Sequence, residues 1–551
     1  MAAIKLKSGL LPGKGSLMKK SSKKILLIYP YFIEDRIHKD EIAAIPIGLY
    51  SVGTVLRDND YDVDILNWHN GKDRIGEIEN FLREKQPGWI GFSIMHANRW
   101  GAIEIARIAK HLNPDVKIVF GGPGATFLWE HLLENFPEID FIVPGEGEYV
   151  FQDLIRTVDG GGNPESVRGI AFRKNGRGIR TGDAEPVSDL DKLPFPAKYF
   201  KYQHVTSARG CAWQCAFCGS PRFWGNRVRL RSPDHFVREL ALLYEKGISF
   251  FYFSDDTFTI KKDRVIEICQ KIIEKDLNIS WYAISRVDCI DEEILYWMRR
   301  AGCIQISFGI ESGSEKIREK LCKELKTDQI KRALKITTKY GILSRAYFIY
   351  GSPGETRETI QETIDLMMEI GPLSVIFYIL DLFPGTALYD SLKEQANLTD
   401  DLWLNKIEGV MYFETDPAMT EDLILGFGRK LRTAFYENVH RFAEDIELVD
   451  REDLYELHAD FLSRLGMTFS HGDYSNIPEI REKDKTAKKL FKRSLEYAPN
   501  HRAYLGLGIL NQKQGDYEAS VKILSEGLKI YPENEHLKQC LEISYMNAGK
   551  R

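Results

Sequence analysis

Between Lys24 and Glu148 the chain repeats one pattern, a short apolar run followed by a stretch of helical period. The runs are KILLIYP, YDVDILN, WIGFSIM, VKIVFGG and DFIVPGE, and helices are expected from Pro46 to Asn59, around Ala102 to Leu112 and near Phe127 to Asn135. Strands that are apolar throughout and alternate with helices form a parallel sheet covered on both faces. Residues 23–160 are therefore expected to form a doubly wound α/β domain, followed by a linker over 161–200. Such sheets take ligands beyond the carboxyl ends of their strands. Pro46, Gly48, Ser93, Gly121, Gly122, Thr126, Gly145 and Glu146 fall there. Their glycines serve either tight turns or the close approach of a ligand, and no GxGxxG run favours a dinucleotide.

The stretch RGCAWQCAFCGS gathers Cys211, Cys215 and Cys218, and no cysteine precedes it. A structural zinc site wants four ligands in separated pairs, and His204 and His235 are poorly spaced to complete one. A disulfide would leave one thiol over. An iron–sulfur cluster on three cysteines leaves one iron without a protein ligand, a defect for electron transfer but a requirement for catalysis. The other five cysteines, Cys269, Cys289, Cys303, Cys322 and Cys540, are scattered singly, which reads as a reducing, cytoplasmic setting.

After the cysteines the alternation resumes with ISFFYFSDDTF, ISWYAISRVD, CIQISFGIESGS, ILSRAYFIYGSPGET and LSVIFYILDLFPGT, each followed by an amphipathic stretch. CxxxCxxC with Phe217 before its last cysteine, ahead of these repeats, resembles the radical S-adenosylmethionine (SAM) enzymes. The resemblance implies a partial (β/α)6 TIM-type barrel over residues 201–420. It implies one 4Fe-4S cluster on Cys211, Cys215 and Cys218, with SAM bound at the open iron and cleaved to methionine and a 5′-deoxyadenosyl radical. SAM-binding roles follow for Phe217, Asp255, Asp256, Arg286, Glu311, Ser312, Gly351 and Pro353. Plainer alternatives exist: Asp256 as a helix cap, Arg286 as a surface partner of Asp288, Gly351 and Gly354 as turns.

GGPGAT and PGEGE, lying ahead of such a barrel, resemble the Rossmann-like cobalamin-binding domain of one branch of this family. The eight strand-end residues named above become its cobalamin-binding candidates. The DxHxxG sequence that supplies a histidine to cobalt in other enzymes is absent, and neither His38 nor His69 has its spacing. Cobalamin is thus expected base-off and without a histidine ligand. Residues 1–210 also lack the cysteines that methylthiotransferases use for a second cluster.

At the other end, AKKLFKRSLEYAP and SVKILSEGLKIYP align at 33 residues, pairing Ala487 with Ser520, Phe491 with Leu524, Ser494 with Gly527 and Pro499 with Pro532. Tyr504, Leu507 and Gly508 between them fit the tetratricopeptide pattern. Residues 481–551 are expected to form such repeats, packed on a helical segment at 421–480 and either binding a protein partner or capping the barrel. Residues 1–22 are basic and rich in Lys, Gly and Ser, and are expected to be a disordered tail in which Met18 offers an alternative start. A net charge of −5 argues for no nucleic-acid partner, and no apolar run approaches a membrane span.

These features imply a cobalamin-dependent radical SAM enzyme. The foremost expectation is a methyltransferase acting on an unactivated carbon or a phosphinate phosphorus through the deoxyadenosyl radical and methylcobalamin. The alternatives are a non-methylating cobalamin radical SAM oxidase or cyclase, and a non-catalytic tetratricopeptide scaffold with a vestigial cluster. The cofactors carry the difficult chemistry, so no further catalytic side chain is assigned. An external electron donor of flavodoxin or ferredoxin type is implied, and the substrate, a small molecule or a peptide, is not spelled out by the sequence.

Overall fold

The structure, a computed structural model, describes residues 24–34 and 45–548. The tail expected at 1–22, and His38, lie outside the described residues. The first sheet runs in the order β2-β1-β3-β4-β5-β6-β7. Strands β1 (Ile25–Tyr29), β2 (Val63–Asn67), β3 (Trp89–Ser93), β4 (Lys117–Gly121) and β5 (Phe141–Val143) are parallel. Side chains alternate between two cores. Leu26, Ile28, Ile90 and Phe120 pack under the helices Ile75–Lys85 and Arg99–Leu112, while Ile25, Leu27, Trp89 and Val119 pack under Ile47–Asp58 and Glu148–Asp159. The reversal of winding direction between β1 and β3 opens a crevice at the strand ends.

This sheet extends beyond residue 160. Strands β6 (Ala171–Lys174) and β7 (Arg177–Arg180) continue it antiparallel, so half of the stretch expected as a linker belongs to the domain. Their turn is Asn175-Gly176, both at positive φ (52° and 80°), the backbone that a two-residue hairpin requires.

The second sheet has the order β15-β14-β13-β12-β11-β8 and is parallel throughout. Its strands are β8 (His204–Val205), β11 (Phe250–Phe253), β12 (Ser280–Ser285), β13 (Cys303–Glu311), β14 (Leu343–Tyr350) and β15 (Ser374–Ile379). This is the expected six-stranded partial barrel, with β8 and β15 as unjoined edges. The short arms β9 (Ala208–Arg209) and β10 (Arg229–Leu230) pair antiparallel and bracket the cysteine loop. Past the barrel, β16 (Asp381–Leu382) pairs with β17 (Val410–Met411). Leu382, Tyr389 and Trp403 of this region pack back into the first domain's core. Arg99, 1% exposed, secures that return by donating to the carbonyls of Trp403 and Asn405.

The helices Glu421–Glu444 and Tyr455–Ser470 lead into two helical pairs, Lys483–Tyr497 with His501–Lys513 and Tyr517–Ile530 with Glu535–Ala548. Phe461, Leu465, Phe491 and Leu507 belong to the same core as the barrel strands, so the repeat helices are fused to the barrel through the helical segment. Among the described residues no helix is long and apolar enough to cross a membrane.

Candidate active site between the two sheets

The cysteine loop is set by its entry. Gly210 has φ +98°, and a Cβ there would collide with the Arg227 carbonyl, so only glycine turns the chain from β9 into Cys211. Asp255, 2% exposed, holds the approach: its carboxylate accepts from the N–H groups of Ser207 (2.6 Å) and Ala208 (3.1 Å) and from the Ser207 hydroxyl. Both oxygens are thereby used, and Asp255 anchors the loop instead of facing a ligand as expected. The neighbouring Asp256 is exposed and accepts from Ser220 Oγ at 2.6 Å, just past Cys218. Inside the loop, Ala216 N–H donates to the Leu321 carbonyl (2.9 Å) and Cys218 N–H to that of Cys215 (3.1 Å).

Burial raises the Cys215 thiol, opposed by Lys323 and Arg286, and pushes Cys218 up to about 11, with Asp256 adding to the rise. A metal centre reverses this by binding thiolate, and the two cations beside Cys215 favour that charge. Arg286 pairs with Asp288 through two 3.1 Å contacts, as its plainer reading had it, but its side chain is 5% exposed rather than at the surface. Its guanidinium lies 4.1 Å from the ring centroid of Trp213, within the cysteine loop, and donates to the Glu324 carbonyl.

Glu311 ends β13 at φ +67°, where the register with β14 shifts. Such a bulge re-aims a side chain, and here the carboxylate turns to Lys323 Nζ at 2.8 Å. Ser312 is fully buried, its hydroxyl accepting from Ser314 N–H and bonded to the Thr363 hydroxyl of the helix Arg357–Ile370, so it does not face a ligand as expected. Gly351, at φ +77°, donates its N–H to Glu355 Oε2. Burial pushes Glu355 up to about 7 against that hydrogen bond, and its Oε1, like Ser352 Oγ, is buried without a partner. Pro353 follows in the same turn. Phe217 packs against Ile317, Leu321 and Leu380 under the loop.

The crevice of the first sheet opens onto this loop. One cavity of about 320 Å³ is lined by Pro46, Gly48, Ser93, Gly121, Gly122, Gly145 and Glu146 on one side and by Ala208, Arg209, Trp224 and Asp256 on the other. Thr126, the remaining candidate, lies behind it and accepts from Gly145 N–H at 2.9 Å. A Cβ at Gly48 or Gly145 would meet nothing within 4 Å and would project into open space. Glu146 reaches the cavity wall, but its carboxylate is taken up by Arg209, by Arg229 (2.6 Å) and by Val187 N–H (2.8 Å). Arg209 also pairs with Glu148 at 2.5 Å. These four charges tie the first domain to the barrel.

Residues 38–155 match the model of the B12 binding domain, and residues 205–367 match that of the Radical SAM superfamily. The uncharacterized methyltransferase PH0819 of Pyrococcus horikoshii is 31% identical over 419 residues, spanning 73% of this chain and 90% of the relative. The chain belongs to the B12-binding radical SAM family. The anaerobic magnesium-protoporphyrin IX monomethyl ester cyclase of Rubrivivax gelatinosus is 31% identical, covering 60% of this chain and 64% of the cyclase. Among solved structures, the radical SAM methyltransferase TsrM of Kitasatospora setae, with cobalamin and a [4Fe-4S] cluster bound, superposes with TM-score 0.63 at 18% identity over 86% of this chain and 99% of TsrM. The cobalamin-dependent enzyme OxsB gives 0.60 at 16% identity over 96% of this chain and 84% of OxsB.

The residues of this radical SAM enzyme fit its family's cofactors. All three loop cysteines are free. Among the described residues no three His, Cys, Asp or Glu side chains converge on a single metal ion; a cubane takes each thiolate on a different iron, so its ligands stand further apart. The cavity's open glycines leave a cradle for a flat corrin, and the unpartnered Glu355 and Ser352 atoms leave polar groups for SAM. Trp213, Lys323, Arg209 and Glu355 were not singled out from sequence. Arg209 and Trp213 lie inside RGCAWQCAFCGS and Glu355 inside GSPGET, whereas Lys323 had no local signal.

Proposed function

We propose that this enzyme is a cobalamin-dependent methyltransferase acting on an unactivated carbon or a phosphinate phosphorus. When bound, the cluster supplies the electron that cleaves SAM, and cobalamin supplies the carrier for a methyl group. The observation that carries the reading is the shared cavity, in which strand-end glycines of the first sheet face Arg209 at the entry of the cysteine loop and Asp256 beyond β11. Cys211, Cys215 and Cys218 would hold the cluster. Asp256, Arg286 and Glu311 surround the loop that carries it, and Gly351 with Pro353 and Glu355 would form the adenine-side turn. Lys323 balances Glu311 and keeps a positive charge beside Cys215. Arg209, clamped by Glu146 and Glu148, holds the two domains at the spacing that the cavity needs, while Phe217 and its apolar neighbours exclude water below the loop. Relatives named as methyltransferases support the reading, among them the cytidylyl-2-hydroxyethylphosphonate methyltransferase of Streptomyces wedmorensis, 27% identical over 66% of this chain.

A flavodoxin or ferredoxin would reduce the cluster in the cytoplasm, and the repeat helices offer a place for a protein partner. Anaerobic reconstitution tests the proposal. The expected outcome is about four irons per chain, with both 5′-deoxyadenosine and, dependent on cobalamin, S-adenosylhomocysteine released from SAM. Cys215→Ala should lose iron and SAM cleavage while retaining cobalamin. Deoxyadenosine alone would favour an oxidase or cyclase, of which the Rubrivivax relative is an instance. Zinc without iron in the anaerobically purified protein would overturn the assignment.

A further inference from the structure

The barrel sheet leaves one face open. Side chains alternate along a strand: Phe251, Phe253, Trp281, Ala283, Ala346 and Phe348 are buried under the outer helices. Their neighbours Phe250, Tyr252, Tyr282, Ile284, Arg345 and Tyr347 point the other way, into the barrel. A parallel barrel normally fills that space with its own side chains. Here Tyr252, Ile284 and Tyr378 remain 36%, 39% and 37% exposed.

The open face is an aromatic floor. Phe250 and Tyr282 meet edge to face at 4.9 Å, Tyr252 and Tyr282 at 5.5 Å, and Tyr347 and Tyr378 at 5.9 Å, while His204 stacks on Tyr252 at 4.4 Å. Among the described residues one cation without an ion pair stands beside it. Arg345 Nε donates to the neutral Ser374 hydroxyl at 3.0 Å, and among the described residues its guanidinium makes no ion pair. Burial raises the Tyr282 phenol against the charges of this guanidinium and of Arg464, while Asp473 adds to the rise, so all three stand near the ring; Arg464 is engaged by Asp460 at 2.9 Å. Toward the cluster the floor ends at Gly309, where a Cβ would collide with Glu311 Oε1 and come within 2.9 Å of Lys323 Nζ. Gly309 pairs with Tyr347, so the floor leads up to the Glu311–Lys323 pair beside Cys215.

Resting on the radical SAM reading above, we propose that the substrate is a planar or polycyclic apolar molecule bearing one carboxylate, its body on the aromatic floor and its carboxylate on Arg345. Aromatic rings offer faces and edges that a flat apolar body matches without hydrogen bonds. With Nε engaged, the terminal nitrogens of Arg345 present the two-pronged donor that a carboxylate accepts. A phosphate monoester carries up to about two negative charges, and this face supplies one unpaired positive charge, with the Asp473 carboxylate near it.

The test uses pyrenebutyrate, its phosphate analogue and the neutral pyrenebutanol as probes, with the reconstituted holoenzyme in anaerobic equilibrium dialysis. Wild type is expected to bind pyrenebutyrate ~10-fold or more tighter than pyrenebutanol or the phosphate, as a charge-assisted pair demands. Arg345→Met should abolish the preference for the acid and leave pyrenebutanol binding unchanged. Tyr252→Ala should weaken acid and alcohol alike, and Tyr282→Phe, which keeps the ring, should weaken neither. Iron content of every variant reports its folding. A wild-type enzyme that holds iron and cleaves SAM but ignores pyrenebutyrate, prefers the phosphate, or keeps its preference in Arg345→Met overturns this inference alone. A preparation without iron or SAM cleavage overturns the reading beneath it as well.

Discussion

Lys323 Nζ stands 2.8 Å from Glu311 Oε1, and both side chains are buried, at 8% and 7% exposure, next to Cys215. Removing one partner of such a pair strands a charge in the interior, which costs about 3–5 kcal/mol, whereas removing both is close to neutral. Lys323→Met and Glu311→Gln should therefore each lower thermal stability strongly. The double variant should recover it. SAM cleavage should not recover fully with stability, because the double variant keeps Arg286 but still lacks one of the two positive charges beside the cysteine that would hold iron. Recovery of both together would reduce the pair to a packing element.

Gly48 gives the cleanest access to the cobalamin side. It opens the helix Ile47–Asp58, lines the cavity, and has no atom within 4 Å of a Cβ built on it. Gly48→Leu should leave the fold intact, since leucine favours a helix over glycine by up to about 1 kcal/mol, yet it should fill space that the corrin needs. The expected result is an unchanged melting temperature with cobalamin absorbance lost. Gly122 is a poorer choice: at φ +86° any side chain strains the backbone, and a Cβ would lie 2.8 Å from the Ile94 carbonyl.

How far the sequence revealed this site follows from the range of each interaction. Strand runs such as KILLIYP and the cysteine loop are local, and both stand where their residues imply. Asp255 and Asp256 are adjacent, and neighbouring side chains on extended backbone point to opposite sides; no pattern of residues says which one is buried against Ser207. Glu146 finds Arg209 and Arg229 across 63 and 83 residues, and Lys323 reaches the site only through the fold, so no spacing could have marked them; Trp213 stands inside the cysteine loop, but nothing local marks Arg286 as its partner. The hairpin of β6 and β7 was missed because its strands are short and polar, although Asn175-Gly176 is a local turn signal.

The C-terminal helices carry an acid-sensitive joint. Asp460 accepts from Arg299 of the barrel (3.2 Å), from Arg464 (2.9 Å) and from Arg502 of the repeat helices (2.7 Å). Burial raises this carboxyl, but the three guanidinium groups outweigh it and hold the value at about 2, below its ordinary 3.8. A depressed carboxyl contributes stability above its unfolded pKa and loses it as pH falls through the folded one, so about 2 kcal/mol should disappear between pH 4 and pH 2. Chemical denaturation across that window should show the loss in wild type. Asp460→Asn should be less stable at pH 7 and should lose about 2 kcal/mol less than wild type across the same window, where other paired carboxylates titrate in both proteins; equal losses in the two would remove the joint's role.

The lower face of cobalt supplies the last test. A histidine ligand must reach the cavity and be oriented by an acceptor on its other ring nitrogen. His69 has such an acceptor, Asn67 Oδ1 at 3.0 Å, but it follows the edge strand β2, which does not line the cavity. His96 follows β3, yet its ring stacks on Phe383 at 5.1 Å and its Nε2 lies 3.3 Å from Asp381, directed at the return segment. The bound Co(II) state should therefore show no nitrogen splitting from a histidine in electron paramagnetic resonance. His38→Ala, His69→Ala and His96→Ala should each leave the spectrum as it is in wild type. Splitting that disappears in any one of them would identify that residue as the ligand and refute histidine-off binding.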